Sequence, residues 1–371
     1  MKNIKICIVS EYALPYLIDN SGTGGAELQM FLLAKGLSKR HYDVNFIALD
    51  ELTGTYEFNG IKIFVPYNNK KNSGYTHFNL INLYKFVTIL NKINADIYIL
   101  RGGSPLTSII SFFAQLKNKI FIFSSSSDAN VSTALEINNI KDFIKLPFRY
   151  GVKNSTQVLC QTTHQKNLLK KYVSKKGFVV RNMFQSSATN FEIENKKSVL
   201  WVGRLIQGKY PELYLKLALK LPNYNFKMIC SPLRGNEKYY NKIKNEAIGI
   251  ENLEFIGFVP HNEILKNFVD AALFVNTSAS EGFPNTFLEA WSCGTPVCSL
   301  NCDPDKIIST YKLGINVDNF DELVTKTDFL YKNDKLRNQF SKNCIMYVKK
   351  YHDFETIIDQ YDHLFKNLMK I

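Results

Sequence analysis

Short apolar runs without polar alternation recur along the chain. In the first half they are Lys5 to Val9, Val44 to Leu49, Ile97 to Leu100, Ile120 to Phe123, Gln157 to Gln161 and Gly177 to Asn182. In the second half they are Ser198 to Trp201, Phe226 to Cys230, Leu253 to Ile256, Ala271 to Val275 and Pro296 to Ser299. Such runs suit strands covered on both faces, as in a parallel sheet. Between them lie stretches of helical period: Gly24 onward with Leu28, Phe31, Leu32 and Leu37, then Phe78 to Ile93, Glu212 to Leu221, and Phe354 to Met369, where Tyr361 and Phe365 share a face. Alternating strands and helices give an α/β protein with mostly parallel sheets covered by helices. Phe58-Asn59-Gly60-Ile61 reads as a hairpin, because Asn-Gly tolerates positive φ at both central positions. The segment Ser10 to Thr23 reads as a long loop. The polar stretch Gln185 to Asn190 is the best linker, which divides the chain into 1–185, 186–350 and a terminal helix over 351–371.

A length of 371 residues suits two domains with their own cores. With 45% hydrophobic and 21% charged residues, a disordered or collagen-like chain is excluded. The seven cysteines are odd in number, scattered and mostly within apolar runs, so buried reduced thiols are expected. Cys293, Cys298 and Cys302 lack the Cys-x-x-Cys spacing and a nearby histidine, and no metal site is expected. Glu11 interrupts the first apolar run too early for a signal peptide, and no run approaches the ~20 apolar residues of a membrane span. A cytoplasmic protein is expected.

The net charge of +13 suits an anionic partner: a nucleotide diphosphate, a lipid pyrophosphate, an anionic membrane face or nucleic acid. Nucleic acid ranks last, since no helix-turn-helix or ribonucleoprotein motif is present. Lys141, Lys145 and Arg149 at helical spacing, interleaved with Phe143, Ile144, Leu146 and Phe148, precede Lys166, Lys170, Lys171, Lys175 and Lys176. That pattern suits peripheral contact with an anionic membrane at its inner face, or merely a solvated helix face.

Two stretches carry candidate chemistry. After the apolar run ending at Val275 comes Ser280-Glu281-Gly282-Phe283-Pro284-Asn285-Thr286-Phe287-Leu288-Glu289, in which Pro284 opens and Gly294 stops a helix over Asn285 to Ser292. Backbone donors at Asn285, Thr286 and Phe287, backed by the helix dipole, attract phosphate. Glu281 and Glu289 suit neighbouring hydroxyl-rich groups, because a carboxylate accepts from two hydroxyls at once. The second stretch, Val202-Gly203-Arg204-Leu205-Ile206-Gln207-Gly208-Lys209, places two cations at a strand-to-helix turn, Arg204 in fork geometry and Lys209 as a point charge. Together they describe a nucleotide-sugar site. Arg101, at a strand's carboxyl end, either meets an acceptor phosphate or caps a carboxylate. Gly22-x-Gly24 does not make a dinucleotide fingerprint, because Glu27 holds the third glycine position and the loop is too long.

The Glu-x7-Glu segment from Glu281 to Glu289, the Gly203-Arg204-Leu205-x-x-x-Lys209 turn and Gly24-Gly25-Ala26-Glu27 together resemble the retaining glycosyltransferases of family 4. The resemblance covers nearly the whole chain. It implies the GT-B fold, with two Rossmann-like parallel-sheet domains facing a central cleft and the last helix crossing back to the first domain. It implies an N-terminal acceptor domain and a C-terminal nucleotide-sugar domain, a nucleotide diphosphate sugar as donor, no cofactor, and a glycan or lipid-linked acceptor in bacterial surface polysaccharide synthesis. Gly24 and Gly25 are then donor-site residues whose backbone approaches the phosphates. Phe258 borders the base through its backbone. Gly282, Phe283 and Pro284 line the sugar, Glu281 takes its hydroxyls and Glu289 the ribose. Where many relatives carry a histidine, after the strand ending at Phe123, this chain offers Asp128 as the nearest ionisable group. The rivals are a sugar-nucleotide epimerase of the same fold, a non-catalytic nucleotide-sugar binder and a dinucleotide-dependent oxidoreductase.

Overall fold

The computed structural model describes residues 3–18, 22, 24–49, 52–68, 79–132, 142–185, 197–232, 235–279 and 281–370. Ser280, Lys141, Phe78 and the linker positions 186–190 named above lie outside the described residues, as do the side chains of Phe143 and Ile144. The chain forms two compact units, one of Met1–Met183 with Phe354–Ile371, the other of Phe184–Asp353.

The first unit holds an eight-stranded sheet. Its strands are β1 (Lys5–Val9), β2 (Asp43–Ile47), β3 (Gly54–Phe58), β4 (Ile61–Val65), β5 (Ile97–Arg101), β6 (Ile120–Ser124), β7 (Gln157–Cys160) and β8 (Gly177–Val179), in the order β3-β4-β2-β1-β5-β6-β7-β8. All neighbours are parallel except the hairpin β3–β4, where Phe58 faces Ile61 and both Asn59 and Gly60 take positive φ, as the Asn-Gly pair requires. The expected loop after β1 contains a short helix, Leu14–Ile18, whose Leu14, Tyr16 and Leu17 are buried. Five residues are too few to show a helical period, so packing rather than pattern decides this element.

One sheet face is covered by the helices Gly25–Ser38 and Phe354–Met369, which share a core of Leu33, Leu37, Ile358, Tyr361 and Phe365 with β1 and β2. They approach closely at Gly36, where a Cβ would sit 2.3 Å from the Ile358 side chain. The opposite face is covered by Leu80–Ile93, Leu106–Leu116 and Asp142–Asn154 through Phe86, Leu90, Phe113, Phe148 and Val152. Phe148, one of the aromatics expected on a membrane-facing surface, instead points inward and meets Phe123 edge-on at 5.6 Å.

The second unit holds a six-stranded sheet, all parallel: β9 (Ser198–Arg204), β10 (Asn225–Ser231), β11 (Leu253–Gly257), β12 (Ala271–Asn276), β13 (Val297–Leu300) and β14 (Gly314–Val317). Their order is β11-β10-β9-β12-β13-β14, so sequence order reverses direction between β9 and β12. Strand β14 carries only Gly314, Ile315, Asn316 and Val317, too little apolar sequence to stand out. Backbone pairing of Phe184 with Asp353 sets the entry and exit of this unit side by side.

Phe365 is fully buried where the C-terminal helix meets the first sheet. Phe365→Ala should lower stability by about 3–5 kcal/mol, read as a lower urea midpoint, through lost burial and an unfilled cavity.

Candidate active site

In an open parallel sheet, loops leaving the carboxyl ends diverge where strand order reverses, and ligands bind in the crevice between them. In the second unit that point lies between β9 and β12. The loop leaving β9 carries Arg204 and Lys209, and the loop leaving β12 carries Glu281 and the helix Asn285–Ser292.

The two loops are tied together. Trp201 of β9 donates from Nε1 to the Thr277 hydroxyl at 3.0 Å, and that hydroxyl donates to the Lys209 carbonyl at 2.7 Å. The Ala279 amide donates to the Gly208 carbonyl at 3.0 Å. Their side chains then meet: the Lys209 ammonium is ion-paired and hydrogen-bonded to the Glu281 carboxylate. Gln207–Lys209 form a single 3₁₀ turn, and Tyr210 follows at φ 44°, reversing the chain into the helix Pro211–Lys220. Arg204, at the end of β9 beside Gly203, is half-buried and makes no ion pair or side-chain hydrogen bond among the described residues. This cation therefore stands without a counter-ion among the described residues.

The helix Asn285–Ser292 begins where the sequence places it, with Pro284 as the residue before its first turn and Gly294 at φ 63° beyond its end. The Phe287 amide, one of the three expected phosphate donors, bonds to the Pro284 carbonyl at 3.2 Å, which leaves Asn285 and Thr286 ahead of the intrahelical ladder. The Phe287 side chain is wholly buried against Phe274 and Trp291. Phe283 is an anchor too, packed against Trp291 and the His352 ring. Gly282 and Pro284 are buried beside it, and Glu289 is a buried carboxylate on the inner turn of the helix. Phe258 follows Gly257, which takes φ 81°, and remains 44% exposed at the carboxyl end of β11.

The first unit has its own reversal, between β1 and β5. Gly24 is buried immediately before the helix Gly25–Ser38, and a Cβ there would sit 1.9 Å from the Glu27 carboxylate, which would have to swing aside. Arg101 ends β5 and donates to the Asn182 side-chain oxygen at 2.6 Å, beside Gln161. Its Nε has no partner among the described residues. It therefore caps an amide rather than a carboxylate. Asp128 accepts from Gln165 at 3.1 Å and lies 3.7 Å from His164 Nε2. The strand-end position thus does have a histidine beside it, supplied by the helix Thr163–Val173. Spacing from β6 could not reveal this, since β7 intervenes.

Two further groups at this edge escaped sequence reasoning. Glu11 follows β1 and accepts from the Ser104 hydroxyl, which joins the loops after β1 and β5. Burial pushes its carboxyl up to about 7, although the Ser104 bond works the other way.

Two open parallel sheets, each reversing beside a polar loop cluster, with a terminal helix returned to the first unit, define the GT-B class of glycosyltransferase fold. Residues 183–345 match the family model described as glycosyl transferases group 1. The chain is 24% identical to an uncharacterized glycosyltransferase of Haemophilus influenzae, over 93% of this chain and 97% of that protein. It is 26% identical to the N,N'-diacetylbacillosaminyl-diphospho-undecaprenol alpha-1,3-N-acetylgalactosaminyltransferase of Campylobacter jejuni, over 48% of each. Among solved structures it is similar to sucrose-phosphate synthase from Thermosynechococcus elongatus, with a TM-score of 0.80, 15% identity and coverage of 99% of this chain and 100% of that one. Residues 183–345 and the relatives are thus similar to group 1 glycosyltransferases, and the solved structure shares the fold.

Glu11 gives a test of its environment. A carboxyl raised from its usual value to about 7 holds a proton in the folded state that the unfolded chain has released, so stability falls as pH rises between roughly 4.5 and 7. Glu11→Gln keeps an acceptor for Ser104 and removes that cost. Its melting temperature should match the wild type near pH 4 and exceed it at pH 8, by about 1–3 kcal/mol in stability.

Proposed function

We propose that this chain is a retaining, metal-independent glycosyltransferase that moves a sugar from a nucleotide diphosphate sugar to a glycan or lipid-linked acceptor. The observation that carries this reading is that Arg204, which has no ion pair among the described residues, and the Lys209–Glu281 ion pair both lie on the loops at the reversal point of the second sheet, within one loop of the helix start at Asn285.

Breaking the bond between the anomeric carbon and the phosphate oxygen leaves negative charge on the departing diphosphate. Arg204, Lys209 and the amides of Asn285 and Thr286 are fixed positive groups suited to that charge, and they need no reorganisation as it grows. Two cations and a helix start supply what a metal would otherwise supply.

Before donor binds, Glu281 is the counter-ion of Lys209. A diphosphate arriving at Lys209 takes over that role and releases the Glu281 carboxylate for the sugar hydroxyls. The buried Glu289 receives the ribose hydroxyls, and Gly282, Phe283 and Pro284 face the sugar with backbone, the Phe283 side chain having gone into the core. Phe258 borders the base. Arg101, which donates to the Asn182 side chain and feels the Glu27 carboxylate, serves an acceptor phosphate, and Asp128 with His164 lines the same edge. The acceptor oxygen then bonds to the anomeric carbon from the face the diphosphate leaves, and its proton passes to the departing phosphate.

The acceptor class draws on the Campylobacter relative, whose name specifies a diphospho-undecaprenol-linked sugar. Surface polysaccharide synthesis at the inner face of the cell membrane is the corresponding setting.

Arg204→Ala and Lys209→Ala should each lower turnover by roughly 10²-fold or more while thermal melting stays near wild type. Transfer at wild-type rates in either variant would remove the clamp from the mechanism. Glu289→Ala should weaken nucleoside diphosphate binding by about ten- to a hundredfold in calorimetry, the worth of charge-assisted hydrogen bonds to two hydroxyls. Unchanged affinity would take the ribose away from Glu289.

A further inference from the structure

The helices Leu106–Leu116 and Asp142–Asn154 form a continuous outer surface on the first unit. They touch backbone to backbone at Gly151, where a Cβ would lie 2.6 Å from the Thr107 carbonyl carbon. Across that seam the Tyr150 hydroxyl bonds to the Gln115 side chain at 3.2 Å, and Gln115 bonds to the Asn154 carbonyl at 3.3 Å. On either side of these bonds stand four large apolar side chains turned to solvent: Phe112 at 56% exposure and Leu116 at 66% on one helix, Leu146 at 74% and Tyr150 at 43% on the other. Each pair is four residues apart and so occupies one helix face. An exposed apolar cluster of this kind marks an interaction site.

Charge decides the partner. The helix Leu106–Leu116 carries no charged residue, and Phe143 to Asn190 holds nine Lys and Arg without one Asp or Glu, against 33 acids in the whole chain. Lys117, Arg149 and Lys153 are exposed around the apolar cluster. Arg149 also donates to the Tyr172 carbonyl at 3.0 Å and Lys175 to the Lys153 carbonyl at 2.9 Å, so the neighbouring helix Thr163–Val173 and the lysines after it are fastened to the same surface. Asp142, the first residue of its helix, is the one acid on these two helices, against Lys145, Arg149, Lys153 and the adjoining Lys117. Apolar anchors among an excess of cations match a bilayer whose headgroups are negative and whose acyl boundary accepts Leu and Phe. A second copy of this chain would bring the same positive ring against itself.

We propose that this two-helix face docks on an anionic lipid bilayer, with Phe112, Leu116, Leu146 and Tyr150 entering the interface and the surrounding cations meeting the headgroups. It rests on the glycosyltransferase reading only in that a lipid-linked acceptor gives docking a purpose. The face differs from the basic run visible in sequence, because Phe148 turns inward and the missing anchors come from the preceding helix.

The test is sedimentation of the full chain with vesicles of phosphatidylcholine alone or mixed equally with phosphatidylglycerol, at low and high salt. Wild type should pellet with the anionic vesicles, far less at high salt, and not with phosphatidylcholine. Leu116→Ser with Leu146→Ser, and separately Lys117→Glu with Lys153→Glu, should each reduce the pelleted fraction at least ~tenfold, since one buried leucine or two headgroup contacts suffice for that factor. All four side chains are exposed, so melting curves should not change. Equal pelleting of wild type and both variants, pelleting indifferent to lipid charge, or a wild-type dimer that the serine variant turns into a monomer without lipid would each overturn the proposal. Nucleoside diphosphate binding, measured on the same samples, separates the two readings. If it persists while vesicle binding fails, only the docking face is lost; if it is absent while vesicles bind, the donor site is lost.

Discussion

Parallel pairing is the constraint on which the candidate site depends. Because β9 and β12 run in the same direction, the loops leaving them emerge at one edge, and because sequence order reverses between them, that edge is where an open parallel sheet binds its ligand. The Thr277 hydroxyl converts that proximity into a fixed geometry. It accepts from Trp201 and donates to the Lys209 carbonyl, so strand, cationic loop and acidic loop share one buried hydroxyl. A point charge on a flexible stem such as Lys209 needs this support, since its own rotamers do not specify a direction.

Packing explains which parts of the helix-opening stretch remain for chemistry. Phe283, Phe287 and Trp291 pack among the core residues of the second unit, and Phe283 also meets the His352 ring. Once these side chains point inward, the backbone and the polar residues between them face the loop edge. The apolar members of the segment hold the helix start in place, and the polar ones act there.

The same division runs through the first unit. Its sheet is closed on one face by a helix that arrives from the far end of the chain, packing at Gly36 where no side chain could intervene. Its polar edge gathers Glu11, Ser104, Arg101, Asn182, Asp128 and His164 from segments widely separated in sequence. The positive charge of the chain is uneven in the same unit, and its cation-rich stretch from Phe143 onward includes one of the two helices whose exposed apolar side chains find no core to enter.

Period and composition are local properties, and they were enough to place β1, the Asn59-Gly60 hairpin, the helix Asn285–Ser292 and the C-terminal helix, and to mark Arg204, Lys209 and Glu281 as residues at strand ends. Short elements escaped, because Leu14–Ile18 and Gly314–Val317 contain less than one usable period of apolar sequence. Only the tertiary structure could decide that the Phe287 amide is spent on Pro284, that Phe148 turns inward, that His164 stands beside Asp128, and that Glu281 neutralises Lys209. Each of these depends on which segments the sheet order brings into contact, and a one-dimensional pattern carries no information about distances across strands.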